Sequence, residues 1–319
     1  MSQSLILLLG KNGQVGWELQ RSLAPLGRVV ALDREGLSPE QAAALPAWAD
    51  PLLPEQPLCG DLSDLAGLAR TARELRPDVI VNAAAYTAVD KAESESEMAR
   101  RINAEAPGVL AQVAHEVGAW LVHYSTDYVF NGSGHTPWQE GDATGPLNAY
   151  GHTKLEGEQR IVQASRQHLI LRTSWVYAAR GGNFAKTMLR LARERERLTV
   201  IDDQFGAPTG AELIADVTAH AIRHVLRTGE GQGTYHLAAG GETHWHGYAS
   251  HVIQQARRLV PDGPWRVQAI DPVPTTAFPT PARRPHNSRL NTSLLQSTFG
   301  LTLPPWQQGV DRMLAEVLA

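Results

Sequence analysis

A tyrosine, a lysine and a threonine have the side chains that proton transfer to a carbonyl oxygen would need. Tyr150 and Lys154 stand four residues apart, so on a helix their side chains lie on one face. A neighbouring cation favours the phenolate, so we expect Lys154 to lower the pKa of Tyr150 and make it a usable general acid. Thr126, at the end of an apolar run, would hold the accepting oxygen. Because this spacing is also common on solvated helices, the interpretation depends on the surrounding elements.

The first of these elements is a strand followed by a glycine-rich turn. Residues 4–9 are continuously aliphatic, which predicts a buried parallel strand, and residues 17–23 have helical periodicity. A turn between such a strand and helix brings backbone amides and a helix N-terminus to a pyrophosphate. The turn residues expected to bind a dinucleotide are Gly10, Gly13, Gln14, Val15 and Gly16. Their G-x-x-G-x-x-G spacing leaves a generic glycine turn as the alternative.

The second strand, residues 28–32, ends at an acidic residue followed by a basic one. Asp33 lies some twenty residues beyond the glycines, where a carboxylate would accept bonds from the adenosine ribose of NADH. Arg34 could instead pair with the extra phosphate of NADPH, so both cofactors stay open. Further candidates border the adenine or follow the third strand. They are Asp61, Leu62, Ala83, Ala84, Ala85, Tyr86 and Thr87.

Buried strands alternate with helical segments through the first half of the chain, with further strands at residues 78–85, 120–124 and 168–172. This alternation predicts an α/β fold with a Rossmann-type doubly wound parallel sheet, whose ligands bind at the carboxyl ends of the strands. We expect residues 1–174 to form the dinucleotide-binding domain, with segments near 198–228 returning to it. Residues 175–319 would form mainly a smaller, interleaved substrate domain. The proline-rich stretch 35–57 is expected to be a surface excursion.

Composition narrows the function classes. The 319 residues carry a formal net charge of -4, and 43% of them are hydrophobic, so nothing indicates binding to nucleic acid or to an anionic membrane. Cys59 is the single cysteine, which favours a reducing compartment and a cytoplasmic enzyme.

Several blocks together resemble a known family. The glycine turn, residues 82–85, residues 125–127 and the Tyr150/Lys154 pair are similar to those of the extended short-chain dehydrogenase/reductases. More specific blocks resemble the branch of that family that reduces dTDP-4-dehydrorhamnose. These blocks are residues 10–19, 125–130, 172–177, 183–186, 203–210 and 283–290. The stretch 35–57 is longer than the family usually carries, which affects only the adenosine-side contacts near Asp33.

The resemblance implies a reaction and roles for its residues. NADPH or NADH would reduce the C4 keto group of dTDP-4-dehydro-L-rhamnose, giving dTDP-L-rhamnose as the last step of its biosynthesis. Tyr150 would protonate the forming alkoxide, Lys154 would bind the nicotinamide ribose, and Thr126 would hydrogen-bond the oxygen. The expected contacts to the dTDP-sugar are Thr126, Asp127, Trp175, Lys186, Arg283, Arg284 and Asn287. The family also implies a homodimer and Mg²⁺ at its interface, with Glu18, Glu212 and Glu316 as the matching acidic positions.

Two alternatives stay open from the sequence. A nucleotide-sugar dehydratase or epimerase shares the fold, but a dehydratase of this group has glutamate after its Thr-Asp pair, where this chain has Tyr128. A non-catalytic, cofactor-binding regulatory subunit is the other, although it would not need Thr126, Tyr150 and Lys154 together.

Overall fold

The computed structural model describes residues 4–43 and 56–319 of the chain. In chain order the strands are β1 (Ser4–Leu9), β2 (Gly27–Leu32), β3 (Val79–Asn82), β4 (Trp120–Thr126), β5 (His168–Thr173), β6 (Val176–Tyr177), β7 (Arg197–Ile201), β8 (Phe205–Gly206), β9 (Thr209–Gly210), β10 (Gly233–His236), β11 (Thr243–His244) and β12 (Ala269–Val273). The α-helices are α1 (Gln14–Leu23), α2 (Pro39–Ala43), α3 (Leu65–Leu75), α4 (Val89–Ala92), α5 (Ser96–Arg100), α6 (Ala106–Val117), α7 (Ala149–Ala164), α8 (Phe184–Glu194), α9 (Ala211–Thr228), α10 (Trp245–Leu259), α11 (Ser293–Phe299) and α12 (Trp306–Leu318).

Six strands form one parallel sheet in the order β10-β5-β4-β3-β1-β2. The strand order reverses between β1 and β3, and ligands of doubly wound sheets bind at such a switch point. The predicted α/β class, with a Rossmann-like parallel sheet, is therefore confirmed.

Both faces of the sheet are covered by helices, which explains why its strands are continuously apolar. On β1, Ile6 and Leu8 belong to the core that also contains residues of α1 and α9. Leu7 and Leu9 alternate with them and belong to the core shared with α3 and α6. A strand buried on both faces holds the glycine turn that follows it in a fixed position.

Some segments of the C-terminal half join the main sheet and its helices, and the others form a separate core. Strand β10 pairs with β5 in the main sheet, and α9 packs against α1, whereas β7 pairs with β12 outside that sheet. A further core of α8, α10, α12 and β7 surrounds Tyr248 and Trp306. The division of the chain near residue 174 stays a prediction.

The proline-rich stretch is only partly described, because residues 44–55 lie outside the described ones. On either side of them, Leu37 and Leu58 form an antiparallel bridge. Across the described ranges, no helix combines the length and apolar character required to cross a bilayer.

Candidate active site

Helix α7 begins where it does because Asn148 caps it. The Asn148 Oδ1 atom accepts a hydrogen bond from the backbone N–H of Gly151 at 2.8 Å. Gly151 packs so closely on the preceding loop that a Cβ atom there would lie 2.3 Å from the carbonyl oxygen of Tyr128. The cap and this contact place Tyr150 and Lys154 in the first turns of α7, beside the carboxyl end of β4.

Tyr150, the predicted acid, lies beside Thr126, the residue predicted to hold the oxygen that accepts the proton. Burial raises the pKa of Tyr150 to about 12, while a hydrogen bond with Thr126 opposes the rise and the charge of Asp127 adds to it. The expected lowering of this pKa by Lys154 is wrong, because the lysine bonds elsewhere. A phenol with this pKa keeps its proton at neutral pH, so Tyr150 is available as a donor.

Lys154 is 1% exposed and turns its Nζ atom toward β4. Nζ lies 2.6 Å from the carbonyl oxygen of Tyr124 and 3.0 Å from Nε2 of His123. Burial lowers the pKa of Lys154 to about 8, and the charge of Glu158 partly offsets this. His123, which was not predicted from the sequence as a site residue, is thus a direct partner of the predicted catalytic lysine.

Asp127, the residue after Thr126, carries a buried carboxyl group and is 2% exposed. Its Oδ1 atom accepts a bond from the Thr126 hydroxyl at 3.1 Å. Burial raises the pKa of Asp127 to about 7, against hydrogen bonds from Ser288 and Thr126. Asp127 is therefore a buried carboxyl group next to the predicted acid.

The glycine turn has the close backbone contacts that a phosphate cradle needs. Gly10 has φ +86°, and a Cβ atom there would lie 2.8 Å from the backbone nitrogen of Ala84 on the neighbouring strand end. A Cβ on Gly16 would lie 2.0 Å from the carbonyl oxygen of Gly10. Gly13 is the N-cap of α1 and has no side chain to bond the first-turn N–H groups. Gln14 and Val15 open that helix, so the turn fits a dinucleotide pyrophosphate.

The end of β2 carries two ion pairs. Asp33 accepts bonds from Lys11 at 3.2 Å and from Asn12 at 2.9 Å. Burial would raise the pKa of Asp33, but these bonds hold it below its ordinary value. Arg34 pairs with Asp61 at 3.3 Å, and its side chain is 82% exposed. Lys11, missed from the sequence, places a second cation next to the predicted ribose site.

The remaining cofactor candidates follow that edge of the sheet. Leu62 is buried, Ala83 and Ala84 are half-buried, and Ala85 and Thr87 are exposed. Tyr86 is held by its backbone N–H, which donates to Asn103 Oδ1 at 2.9 Å. Small residues thus line the edge next to the glycine turn.

An aromatic cavity of about 290 Å³ opens beside Tyr128. Trp175 has φ +49°, and its ring stacks on Trp245 at 3.7 Å between centroids. Trp245 lines the cavity together with Tyr128 and Arg284. Tyr128 in turn contacts Tyr150 edge to face, with ring centroids 5.6 Å apart. Tyr128 therefore contacts both the predicted acid and the cavity, whose flat aromatic surfaces suit a sugar or a base.

Only one of the predicted phosphate-binding cations lines this cavity. Arg284 does so and is held by Asp90 at 2.7 Å. Arg283 is exposed, and its carbonyl oxygen accepts a bond from the cap residue Asn148. Lys186 donates to the carbonyl oxygen of Ala179 and lines a separate pocket.

Asn287 does not turn a free amide toward the cavity. It is 1% exposed, and its Nδ2 atom donates to the carbonyl oxygens of Ser133 and Thr136. Asn287 therefore holds the loop of residues 133–136 in place, and its amide donors are already used in these bonds.

The acidic positions Glu18, Glu212 and Glu316 influence one another. Burial raises the pKa of Glu18, and the charges of Glu212 and Glu316 add to the rise. Glu212 is also 3.5 Å from Arg312. Among residues 4–43 and 56–319 of one chain, however, no three His, Cys, Asp or Glu side chains are arranged to hold a metal ion. The predicted Mg²⁺ site is therefore not formed within a single chain.

A doubly wound sheet, a glycine turn at its switch point and a tyrosine and lysine on the helix after β4 define an extended short-chain dehydrogenase/reductase. The family model described as the RmlD substrate binding domain matches residues 4–319. A dTDP-4-dehydrorhamnose reductase of Shigella flexneri is 58% identical over 312 residues, covering 98% of this chain and 97% of the relative. The chain belongs to the dTDP-4-dehydrorhamnose reductase family.

Solved structures agree with this assignment. A dTDP-4-dehydrorhamnose reductase of Clostridium acetobutylicum has a TM-score of 0.84 and 32% identity, covering 99% of this chain and all 100% of that one. The Bacillus anthracis enzyme, in complex with NADP, has a TM-score of 0.82 and 32% identity, with 99% and 100% coverage. A UDP-glucose 4-epimerase of Brucella ovis, 19% identical with a TM-score of 0.75 and coverage of 99% and 98%, shares the fold.

Proposed function

We propose that the chain reduces the C4 keto group of dTDP-4-dehydro-L-rhamnose to dTDP-L-rhamnose with NADPH or NADH, the last step of dTDP-rhamnose biosynthesis. One observation carries this proposal most directly. Tyr150, whose pKa is raised to about 12, stands beside Thr126 at the sheet edge that carries the glycine turn. A protonated phenol and a hydroxyl at that edge suit the capture of an alkoxide formed by hydride addition.

The residues of this chain then divide the work. The nicotinamide, when bound, supplies the hydride. Gly10 and Gly16 keep the turn free of side chains, so that backbone N–H groups of α1 can hold the pyrophosphate. Thr126 would bond the C4 oxygen, and Tyr150 would give it a proton as charge develops there. Trp175, Trp245 and Arg284 would position the dTDP-sugar, with Asp127 next to its hydroxyl groups.

Tyr150→Phe tests the assigned acid, with Tyr128→Phe as a matched control. The two rings contact each other edge to face, and both substitutions remove only a hydroxyl group. Loss of a general acid costs about 10²- to 10⁴-fold in kcat, while NADPH binding should stay near the wild-type value. We would measure dTDP-rhamnose formation and NADPH titration of intrinsic fluorescence. Equal turnover of Tyr150→Phe and wild type would exclude the role.

The same assay separates the alternatives. An epimerase would convert a nucleotide sugar without net oxidation of NADPH, and a regulatory subunit would bind the cofactor but turn over no sugar. Stoichiometric NADPH oxidation and dTDP-rhamnose formation supports the reductase.

Cofactor choice is proposed to rest on the cations at the end of β2. Lys11 and Arg34 could both contact the 2′-phosphate of NADPH, while Asp33 could bond the ribose of NADH. Arg34→Ala should weaken NADPH binding about tenfold and leave NADH binding unchanged. Arg73→Ala, at another surface ion pair, is the control. Equal loss for both cofactors in a fluorescence titration would contradict this role.

We also propose that two copies of the chain associate in the cytoplasm through the face that carries Glu18, Glu212 and Glu316, with Mg²⁺ held only across that pair. Burial and the charges of Glu212 and Glu316 raise the pKa of Glu18. A cation shared by these carboxylates would reduce their mutual repulsion. Light scattering with and without EDTA tests this. A monomer with full activity in EDTA would contradict both the proposed dimer and the proposed metal site.

A further inference from the structure

Residues 203–210 lie against two stacked tryptophans of the proposed sugar site. The rings of Trp175 and Trp245 are 3.7 Å apart between centroids. A Cβ atom on Gly206 would lie 2.9 Å from Cε2 of Trp175, and the backbone N–H of Thr209 donates to the carbonyl oxygen of Trp175 at 3.2 Å. This segment is one of the blocks that resemble the family, and its contacts indicate that it holds the tryptophans in place.

A row of three side-chain hydrogen bonds connects the same segment to Trp245. Nε1 of Trp245 lies 3.0 Å from the Gln204 side chain, and an indole N–H can only donate, so the atom that faces it is the amide oxygen. The amide nitrogen of Gln204 therefore faces Oγ1 of Thr275, at 3.0 Å. Because that nitrogen donates, the Thr275 hydroxyl accepts from it and gives its own proton to Oδ1 of Asp203, 2.5 Å away. The orientation of the amide is thus fixed at both ends.

Asp203 anchors this row as an ionised carboxylate. Its two oxygens also accept from the backbone N–H of Thr275, at 2.9 and 3.0 Å. Burial would raise the pKa of Asp203, but the bonds from Thr275 hold it below its ordinary value. A carboxylate can only accept, so the Thr275 hydroxyl cannot reverse its bond. Gln204, in the middle of the row, is 5% exposed, so water does not compete for its amide.

Trp175 needs support because its backbone conformation is unusual. Its φ of +49° lies in the left-handed region, which residues other than glycine rarely adopt. A residue keeps such a conformation only where its surroundings hold it. The ring of Trp175 stacks on Trp245, and Phe184 contacts Trp245 with ring centroids 4.6 Å apart. If Trp245 became mobile, the ring of Trp175 would lose this support.

We propose that Gln204 is a positioning residue for the dTDP-sugar: held by Thr275, its amide fixes Trp245 in the wall of the aromatic cavity. All three residues line that cavity. Trp245 in turn supports the ring of Trp175. The side-chain bonds described for Gln204 go to Trp245 and Thr275, and not to the predicted catalytic residues, so it acts on binding of the sugar rather than on proton transfer. Loss of such an interaction raises KM and leaves kcat unchanged.

This proposal deepens the proposed reductase function, but its first test needs no activity. The eight tryptophans are labelled with 5-fluorotryptophan, and Trp245→Phe and Trp175→Phe assign two of the ¹⁹F resonances. We expect Gln204→Leu to shift and broaden the Trp245 resonance, because the indole N–H loses its acceptor and the ring becomes mobile. A Trp245 resonance that stays as in the wild type would overturn the proposal whether or not the chain reduces the expected sugar.

The second test is steady-state kinetics with dTDP-4-dehydro-L-rhamnose. Gln204→Leu should raise KM about 3- to 10-fold, because the substrate must then order Trp245 on binding. Gln296→Leu is the matched control and should keep the wild-type KM. The Gln296 amide nitrogen also donates to a threonine hydroxyl, that of Thr292 at 3.0 Å, but Gln296 lies on α11 and does not line the cavity. An unchanged KM in Gln204→Leu, or a fall in kcat alone, would contradict the positioning role.

Thr275→Val tests the row with a smaller change, which keeps the proposal testable should Gln204→Leu fold poorly. It removes the hydroxyl group and keeps the backbone bonds to Asp203. KM should rise about two- to threefold, because the amide loses the acceptor that orients it. Added to Gln204→Leu, the same change should cause no further rise, since the two residues act through one row. An equal rise in both backgrounds would mean that Thr275 acts through another group, and no rise in Thr275→Val alone would exclude the row.

Discussion

The Arg172–Glu158 ion pair between β5 and α7 gives the sharpest test of how the site is held in place. The two side chains are only 7% and 5% exposed, and two hydrogen bonds of 2.9 and 2.6 Å join them. Removing one partner leaves the other charge buried and uncompensated, which costs about 3 to 5 kcal/mol. We therefore expect Glu158→Gln to lower the free energy of unfolding by about that amount, and Tm by roughly 5 to 15 °C.

A second pair in the chain supplies the matched control. Arg73 and Glu116 are also joined by two short bonds, of 2.7 and 3.1 Å, but their side chains are 53% and 47% exposed. Glu116→Gln should leave Tm close to wild type, because water solvates the freed charge.

The assay is urea unfolding followed by circular dichroism, with Tm measured in parallel. A third variant, Glu158→Leu with Arg172→Met, removes both buried charges and should recover most of the loss. If Glu158→Gln and Glu116→Gln lowered stability equally, burial would not be the reason for the effect, and our account of this pair would be refuted.

Two further substitutions address the cofactor turn and the buried acid. Gly16→Ala would place a Cβ atom 2.0 Å from the Gly10 carbonyl oxygen, so the turn must shift. We therefore expect NADPH to bind at least about tenfold more weakly in a titration. Gly141→Ala is the control and should not change NADPH binding, because a Cβ atom there meets nothing within 4 Å. Burial raises the pKa of Asp127 from 3.8 to about 7, so its contribution to stability is full below pH 4 and is lost as pH rises through 7. As pH rises from 4 to above 7, the wild type should therefore lose unfolding free energy relative to Asp127→Asn. A difference between the two proteins that does not depend on pH would contradict the raised pKa.

Much of the fold could be predicted because its signals are local. A continuously aliphatic strand such as β1, a glycine turn and a following helix appear in consecutive residues, and their periodicity reports burial on both faces. Tyr150 and Lys154 are one helical turn apart, so their shared helix needs no tertiary information. These local patterns, with the blocks that resemble the family, were sufficient for the fold class and the family.

The partners of these residues could not be predicted in the same way. The sequence spacing suggested that Lys154 would lower the pKa of Tyr150, yet the structure turns its Nζ atom to His123 and Tyr124 on β4. Burial, not a neighbouring cation, then decides the pKa of Tyr150. Which group faces a buried ammonium depends on how α7 lies across β4, and four-residue spacing contains no information about that.

The same distinction separates the basic residues of the C-terminal half. Sequence alone treated Arg283, Arg284 and Lys186 as equivalent partners for a diphosphate. The fold brings only Arg284 to the aromatic cavity, where Asp90, 194 residues earlier, holds it. Residue types and local periods thus determined the elements and the chemistry they could carry. Contacts between distant segments, which exist only once the sheet has formed, decided which side chains meet and with what charge.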